Sequence, residues 1–152
     1  MSQSTTIKEQ LTEDMKNAMR NKNKERLEVV RLILAAFKQI EVDERVVVDD
    51  DRALVILDKM LKERRDSIEQ FKVANRDDLV AKEAFQESII REFLPPALST
   101  EEIQQVITTA IAEAGASSIK EMAKVVALVK PRVQGRADMA EVSKLIKTQL
   151  TG

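Results

Sequence analysis

Every proline and every glycine of this chain lies at or after position 95, so its first 94 residues hold no strong helix breaker. Within that stretch apolar residues recur at close to 3.6-residue spacing, which predicts consecutive amphipathic helices. Ile7, Leu11, Met15, Ala18 and Met19 make one face of a first helix. Leu27, Val30, Leu34, Phe37 and Glu41 follow in a second, which carries Val29, Ile33, Ala36 and Ile40 on an adjacent face and is expected to be covered on two sides. A third begins after Asp49-Asp50-Asp51, where carboxylates suit the positive end of the helix dipole, and carries Leu54, Leu57, Leu61, Arg64, Ile68 and Phe71. Asn75-Arg76-Asp77-Asp78 breaks it and offers caps for a fourth, where Ala81, Phe85, Ile89 and Phe93 repeat every four residues. Arg45-Val46-Val47-Val48 has β-propensity but no partner strand and reads as a loop.

Pro95-Pro96 then forbids helix at and just before that point. Three shorter helices follow, each announced by a capping-box pattern: Ser99 to Glu102, Ser118 to Glu121, and Asp138 to Glu141. Gly115 and Gly135 stand where C′ glycines belong, and Pro131 is expected to end the middle helix near Val129 or Lys130. The fold class is all-α. Residues 1–94 read as a four-helix N-terminal module, 95–98 as a linker, and 99–152 as a three-helix bundle.

Histidine and cysteine are absent from all 152 residues. That excludes Ser-His and Cys-His nucleophile pairs, structural zinc and Glu-x-x-His di-metal sites. Three glycines leave no phosphate-cradling loop. The Asp49–Asp51 run offers too few convergent oxygens for Mg²⁺ and reads as a helix start. The expectation is therefore no catalytic residue, no metal and no cofactor. The longest apolar run, Leu32 to Phe37, falls far short of the ~20 residues of a membrane span. The opening Met-Ser-Gln-Ser-Thr-Thr has neither the basic stretch nor the apolar segment of a secretory signal. With no cysteine to oxidise, a cytoplasmic protein is expected.

Charge is unevenly spread. Residues 1–95 carry 18 basic and 20 acidic side chains, whereas after Gly115 seven cations face only Glu121, Asp138 and Glu141, a net +4. Those seven are Lys120, Lys124, Lys130, Arg132, Arg136, Lys144 and Lys147. Lys120 and Lys124 flank an Ile119, Met122, Val126, Val129 stripe; Arg132 and Arg136 stand near Gly135, where guanidinium forks suit phosphate. Two readings remain open: solvated faces of a small helical bundle, or a nucleic-acid surface. Four Phe at core spacing argue against a base-stacking platform, so any RNA would be read by shape and phosphates.

Charges also interrupt apolar faces near the start. Asp14 sits between Leu11 and Met15, Arg31 between Val30 and Leu32, and Arg64 within the Leu61–Ile68 stripe. A buried charge must be paired, so Asp14 with Arg31 or Arg64 is the expected structural ion pair, an anion pocket being the alternative. Lys62, Arg64 and Arg65 beside Asp66 and Glu69 read as i,i+4 pairs on a solvated face.

Asp14 to Arg20 followed by Arg26-Leu27 and Val30-Arg31 resembles the opening of the GatB/YqeY family. So do Leu61 to Phe71, Ala74 to Leu79, Phe93 to Glu102 and Val133 to Asp138, which together extend the resemblance over about residues 10 to 150. The resemblance implies a helical N-terminal module joined to a three-helix bundle. It implies kinship with the tail of the B subunit of tRNA-dependent amidotransferase, a carbon–nitrogen ligase that uses glutamine as nitrogen donor. In that enzyme the tail resembles a tRNA-reading arm, and the catalytic parts belong to other domains. Ala123 and Met139 depart from the family pattern, which often has glycine there.

The leading expectation is a non-catalytic, tRNA-binding accessory protein, its partners tRNA or a protein of the translation or aminoacylation apparatus, with no membrane. A protein–protein adaptor using Met15, Met19 and Met60 on the N-terminal module is the alternative. An autonomous amidotransferase would need a nucleophile from Ser, Thr, Lys or carboxylates. Oligomeric state is not legible.

Overall fold

The computed structural model describes residues 5–151; the first four residues, part of the stretch read above as lacking a secretory signal, lie outside the described residues. Among the described residues all regular structure is helical, with no strand. The chain divides into two compact units, one ending at Leu94 and one starting at Pro95.

The first unit contains α1 (Ile7–Arg20), α2 (Lys24–Glu44), α3 (Asp50–Val73) and α4 (Asp77–Glu92). Three of its helices open on the side-chain cap their sequence offers: Thr6, Asn23 and Asp49 each accept a backbone N–H from three residues on. Asp50 accepts the Ile7 N–H at 2.9 Å, so the acidic run both starts α3 and ties down the start of α1. Arg76, by contrast, caps α4 without a side-chain bond. α2 buries Val29, Val30, Ile33 and Phe37 and packs against α1, α3 and α4, which is why it needs apolar residues on two faces. Around it gather Leu11, Leu57, Leu61, Ile89 and Ile90. Each such side chain, fully buried, stabilises the fold by about 1.5–3 kcal/mol. Residues 46–49 form an irregular connection, and the Val48 N–H is satisfied by the Glu41 carboxylate rather than by a strand.

The four-residue stripe expected on α4 holds only at its far end. Ile89 and Phe93 are buried, but Ala81 is exposed and Phe85 is 38% exposed. α4 packs chiefly on α3, so only its C-terminal half reaches the core. Arg64 and Arg65 make no i,i+4 pairs either; they cross to α4, to Gln86 at 3.2 Å and Glu87 at 3.3 Å.

The second unit contains α5 (Thr100–Ala114), a single 3₁₀ turn (Ile119–Glu121), α6 (Met122–Val133) and α7 (Met139–Thr151). α5 opens on the full Ser99–Glu102 capping box and closes at Gly115, whose φ of +63° lets the Ala116 N–H reach the Ile111 carbonyl. The other two boxes are partial. Glu121 instead binds the Ser117 N–H at 3.2 Å, and Asp138 accepts the Ala140 N–H at 3.1 Å. α6 does not end near Val129 or Lys130. It runs through Pro131 to Val133, because proline in a last turn removes one donor while Val133, fully buried, extends the row begun by Val125 and Val129. Of the expected Ile119, Met122, Val126, Val129 stripe, Val129 lies in that row and Met122 and Val126 pack against it half-buried, while Ile119 is exposed. Ile103, Ile107 and Ala110 of α5 and Val142 and Ile146 of α7 complete the core, and Leu98 packs onto it.

Candidate nucleic-acid interface

The seven cations of the second unit do not act as one set. Arg132 reaches Glu113 of α5 at 2.6 Å, so its charge is answered within the bundle. Arg136, half-buried, donates from Nε to the Pro96 carbonyl at 3.0 Å, while its own carbonyl accepts the Leu98 N–H at 2.8 Å. It fastens the entry of the unit to the α6–α7 turn. Both arginines expected to present forks to phosphate therefore have structural work.

The five lysines are exposed, and none of their ammonium groups enters an ion pair or a hydrogen bond. Their placement follows from helix geometry. Arg132, bonded to Glu113, marks the flank of α6 turned toward α5, and Gln149, bonded to the Gln104 carbonyl and Thr108, marks the same flank of α7. Residues two apart on a helix differ by roughly 200°, so Lys130 and Lys147 occupy the opposite flanks, those facing the α6–α7 seam. Lys144 sits three residues before Lys147, roughly 60° away on the outer ridge of α7. Lys130, Lys144 and Lys147 thus share one side. Lys124 lies roughly 120° from Lys130 around α6, and Lys120 is on the 3₁₀ turn, so both stand apart from it.

Three acids of the unit are already committed. Glu113 holds Arg132, Glu121 holds Ser117, and Glu102 closes the capping box. The Ser99 N–H, then the Ser99 hydroxyl, keep the Glu102 carboxyl below its ordinary value. None of them leans on the lysines of the seam.

The residues singled out in the first unit are not brought together. Asp14 pairs with Arg26 through two bonds of 2.7 Å, not with Arg31 or Arg64. Arg26 also holds Glu92 at 2.8 and 3.0 Å, joining the middle of α1 and the start of α2 to the end of α4. Asp14 first, then Glu92, raise the Arg26 pKa above its ordinary value. Arg31 is exposed, and Arg64 bonds Gln86 and the Met60 carbonyl. Among the described residues no polar or charged side chain is fully buried, which removes the premise of a buried pair needing Arg31 or Arg64. Sequence reasoning passed over Arg26 because it interrupts no apolar stripe; its signal was a fork-bearing residue in the first turn of α2, one short turn of chain from Asp14. The methionine face does not form either: Met60 is 7% exposed and Met15 packs on the core, leaving Met19 alone at 50%. Among the described residues no cluster of acids is arranged to hold a metal ion, and no helix is long and apolar enough to cross a membrane.

Residues 8–150 match the family described as Yqey-like protein. The chain belongs to the YqeY-like family. It is similar to the protein named altered inheritance of mitochondria protein 41, mitochondrial, of Pyrenophora tritici-repentis, at 31% identity over 90% of this chain and 77% of that one. Proteins of the same name from Clavispora lusitaniae and Eremothecium gossypii are 35% and 36% identical, over 62% and 61% of this chain. It spans only 56% and 52% of those two relatives. The expectation of a cytoplasmic protein is overturned by these names, since the YqeY-like relatives are designated mitochondrial. Composition could not have told the compartments apart: a cysteine-free, helical chain suits either.

Proposed function

We propose that this YqeY-like chain is a non-catalytic accessory protein that holds a folded RNA, transfer RNA by its resemblance, against the α6–α7 side of its second unit. The observation that carries this reading is the placement of Lys130, Lys144 and Lys147 on one side of the bundle, each exposed and without an acidic partner. An ammonium on a flexible stem suits phosphates whose positions vary, and three such groups with no aromatic beside them suit a helical backbone better than unstacked bases. Lys120 and Lys124 contribute only at the margin. Residues up to Leu94 and from Pro95 act as separate modules, a four-helix scaffold and a three-helix binding unit.

Any part in tRNA-dependent amidation is as a carrier or positioner beside a carbon–nitrogen ligase. Chemistry with glutamine as nitrogen donor needs an ammonia-releasing nucleophile, and this chain has no His–Ser or His–Cys pair to activate one.

Filter binding of total tRNA at low salt tests the reading. Replacing Lys130, Lys144 and Lys147 with glutamine should weaken retention about tenfold or more, since most affinity at such surfaces is electrostatic. The same change at Lys16, Lys59 and Lys62 of the first unit should leave it unaltered. Absence of binding by the unaltered protein, or equal losses in both variants, contradicts it.

A further inference from the structure

α4 carries an apolar row of which the structure buries only half. Ile89 and Phe93 enter the core, whereas Phe85 and Ala81, one and two turns before Ile89 on the same row, stay open to solvent. Phe85 is one of four aromatic residues in the whole chain. It forms one wall of a groove of about 380 Å³ between α2 and α4, with Val29 of α2 among its lining residues.

The charges around this groove are distinctive. Glu25 and Glu28 line its α2 side, and neither takes part in an ion pair or side-chain hydrogen bond. Of the nearby cations on α2, Arg26 is used, and Lys24 and Arg31 stand four and three residues from Glu28 without lining the groove. Arg26 is held by Asp14 and Glu92, and Arg31 projects roughly 160° from Val29 around α2. Lys82 is the one cation on the α4 side. Leu32, one turn beyond Glu28 and 40% exposed, prolongs the apolar strip along α2.

We propose that this α2–α4 groove docks a basic amphipathic helix of another protein. An apolar anchor side chain enters between Val29 and Phe85, and lysines or arginines one turn away meet Glu25 and Glu28. Helix-in-groove recognition uses this combination: an apolar slot, and rim charges, here two carboxylates on the α2 side against Lys82 on the α4 side, that choose the partner. A second copy of this chain is a poorer occupant, because its most apolar rows already lie in its two cores. The proposal stands on the first unit and is independent of RNA binding by the second.

The test uses the full chain, ¹⁵N-labelled, and two synthetic helices, one of leucine and lysine and one of leucine and glutamate, each with leucines at i, i+3, i+4 and i+7. The leucine–lysine helix should move the amide resonances of Val29, Ala81 and Phe85, and the leucine–glutamate helix should not. Reversing charge with Glu25→Lys and Glu28→Lys together, at exposed and unpaired positions, should weaken binding about tenfold. Phe85→Ala should weaken it further, with circular dichroism verifying that the helices persist. Resonance changes elsewhere, equal binding of both helices, or an affinity unmoved by charge reversal overturns the proposal. So does a shift of the same resonances on concentrating the protein alone, which assigns the groove to self-association.

Discussion

Arg26 shows how much one side chain can decide in a chain with few special residues. Its planar fork meets Asp14 edge-on at 2.7 Å twice and reaches Glu92 as well, a geometry that lysine cannot reproduce. Replacing it with methionine leaves two partly exposed carboxylates facing each other without a cation, at a cost of about 1–3 kcal/mol. Urea unfolding of Arg26→Met, Asp14→Ala and the pair should give a coupling energy of about 0.5–3 kcal/mol, and additivity of the two would show the contact to be worth nothing. The site residues were legible only as residue types. Cation content after Gly115 can be counted, but that Arg132 is spent on Glu113 and Arg136 on the Pro96 carbonyl depends on which helices become neighbours. No periodicity encodes that.

Single helices were more legible, because caps and breakers act over three or four residues. Ser99, Asp49 and Gly115 do what their types predict, whereas Pro131 yields to the burial of Val133 two residues later. Local signals lose where a tertiary contact within the same turn outweighs them. Ser99→Ala should destabilise the second unit by about 1 kcal/mol, read from its denaturation midpoint. The box also sets a pH dependence. The Ser99 N–H and hydroxyl lower the folded pKa of Glu102, so its contribution is present above the unfolded value and lost as pH falls through the folded one. Glu41 behaves alike, its pKa lowered by the Lys8 ammonium and the Val48 N–H. Glu102→Gln keeps an acceptor and removes the titration, so stability below about pH 4.5 should fall less steeply than in the unaltered chain, as followed by thermal melts. An identical acid limb would show that the box does not titrate.

At the scale of the molecule, two hydrophobic cores on either side of Pro95 imply two folding units. The fragment 95–152 has its own core of eight buried residues, its own caps and the Arg136 anchor, and it should fold alone with a cooperative melt. About 60 residues is near the lower limit for an unassisted domain, so its melting temperature should be low; a non-cooperative, coil-like spectrum would show that it needs the first unit. The all-α class was visible from the 94-residue stretch without breakers, but which half of α4's row stays open was not, since that depends on where α3 leaves room. The proposed function rests on the seam lysines. The most direct measurement is the slope of log affinity against log salt for tRNA and the full chain. Three phosphate contacts predict about −2.7, taking ~0.9 per contact from duplex DNA, with a loss of about 0.9 for each of Lys130, Lys144 and Lys147 changed to glutamine. A slope near zero, or one that ignores those three changes, contradicts the account.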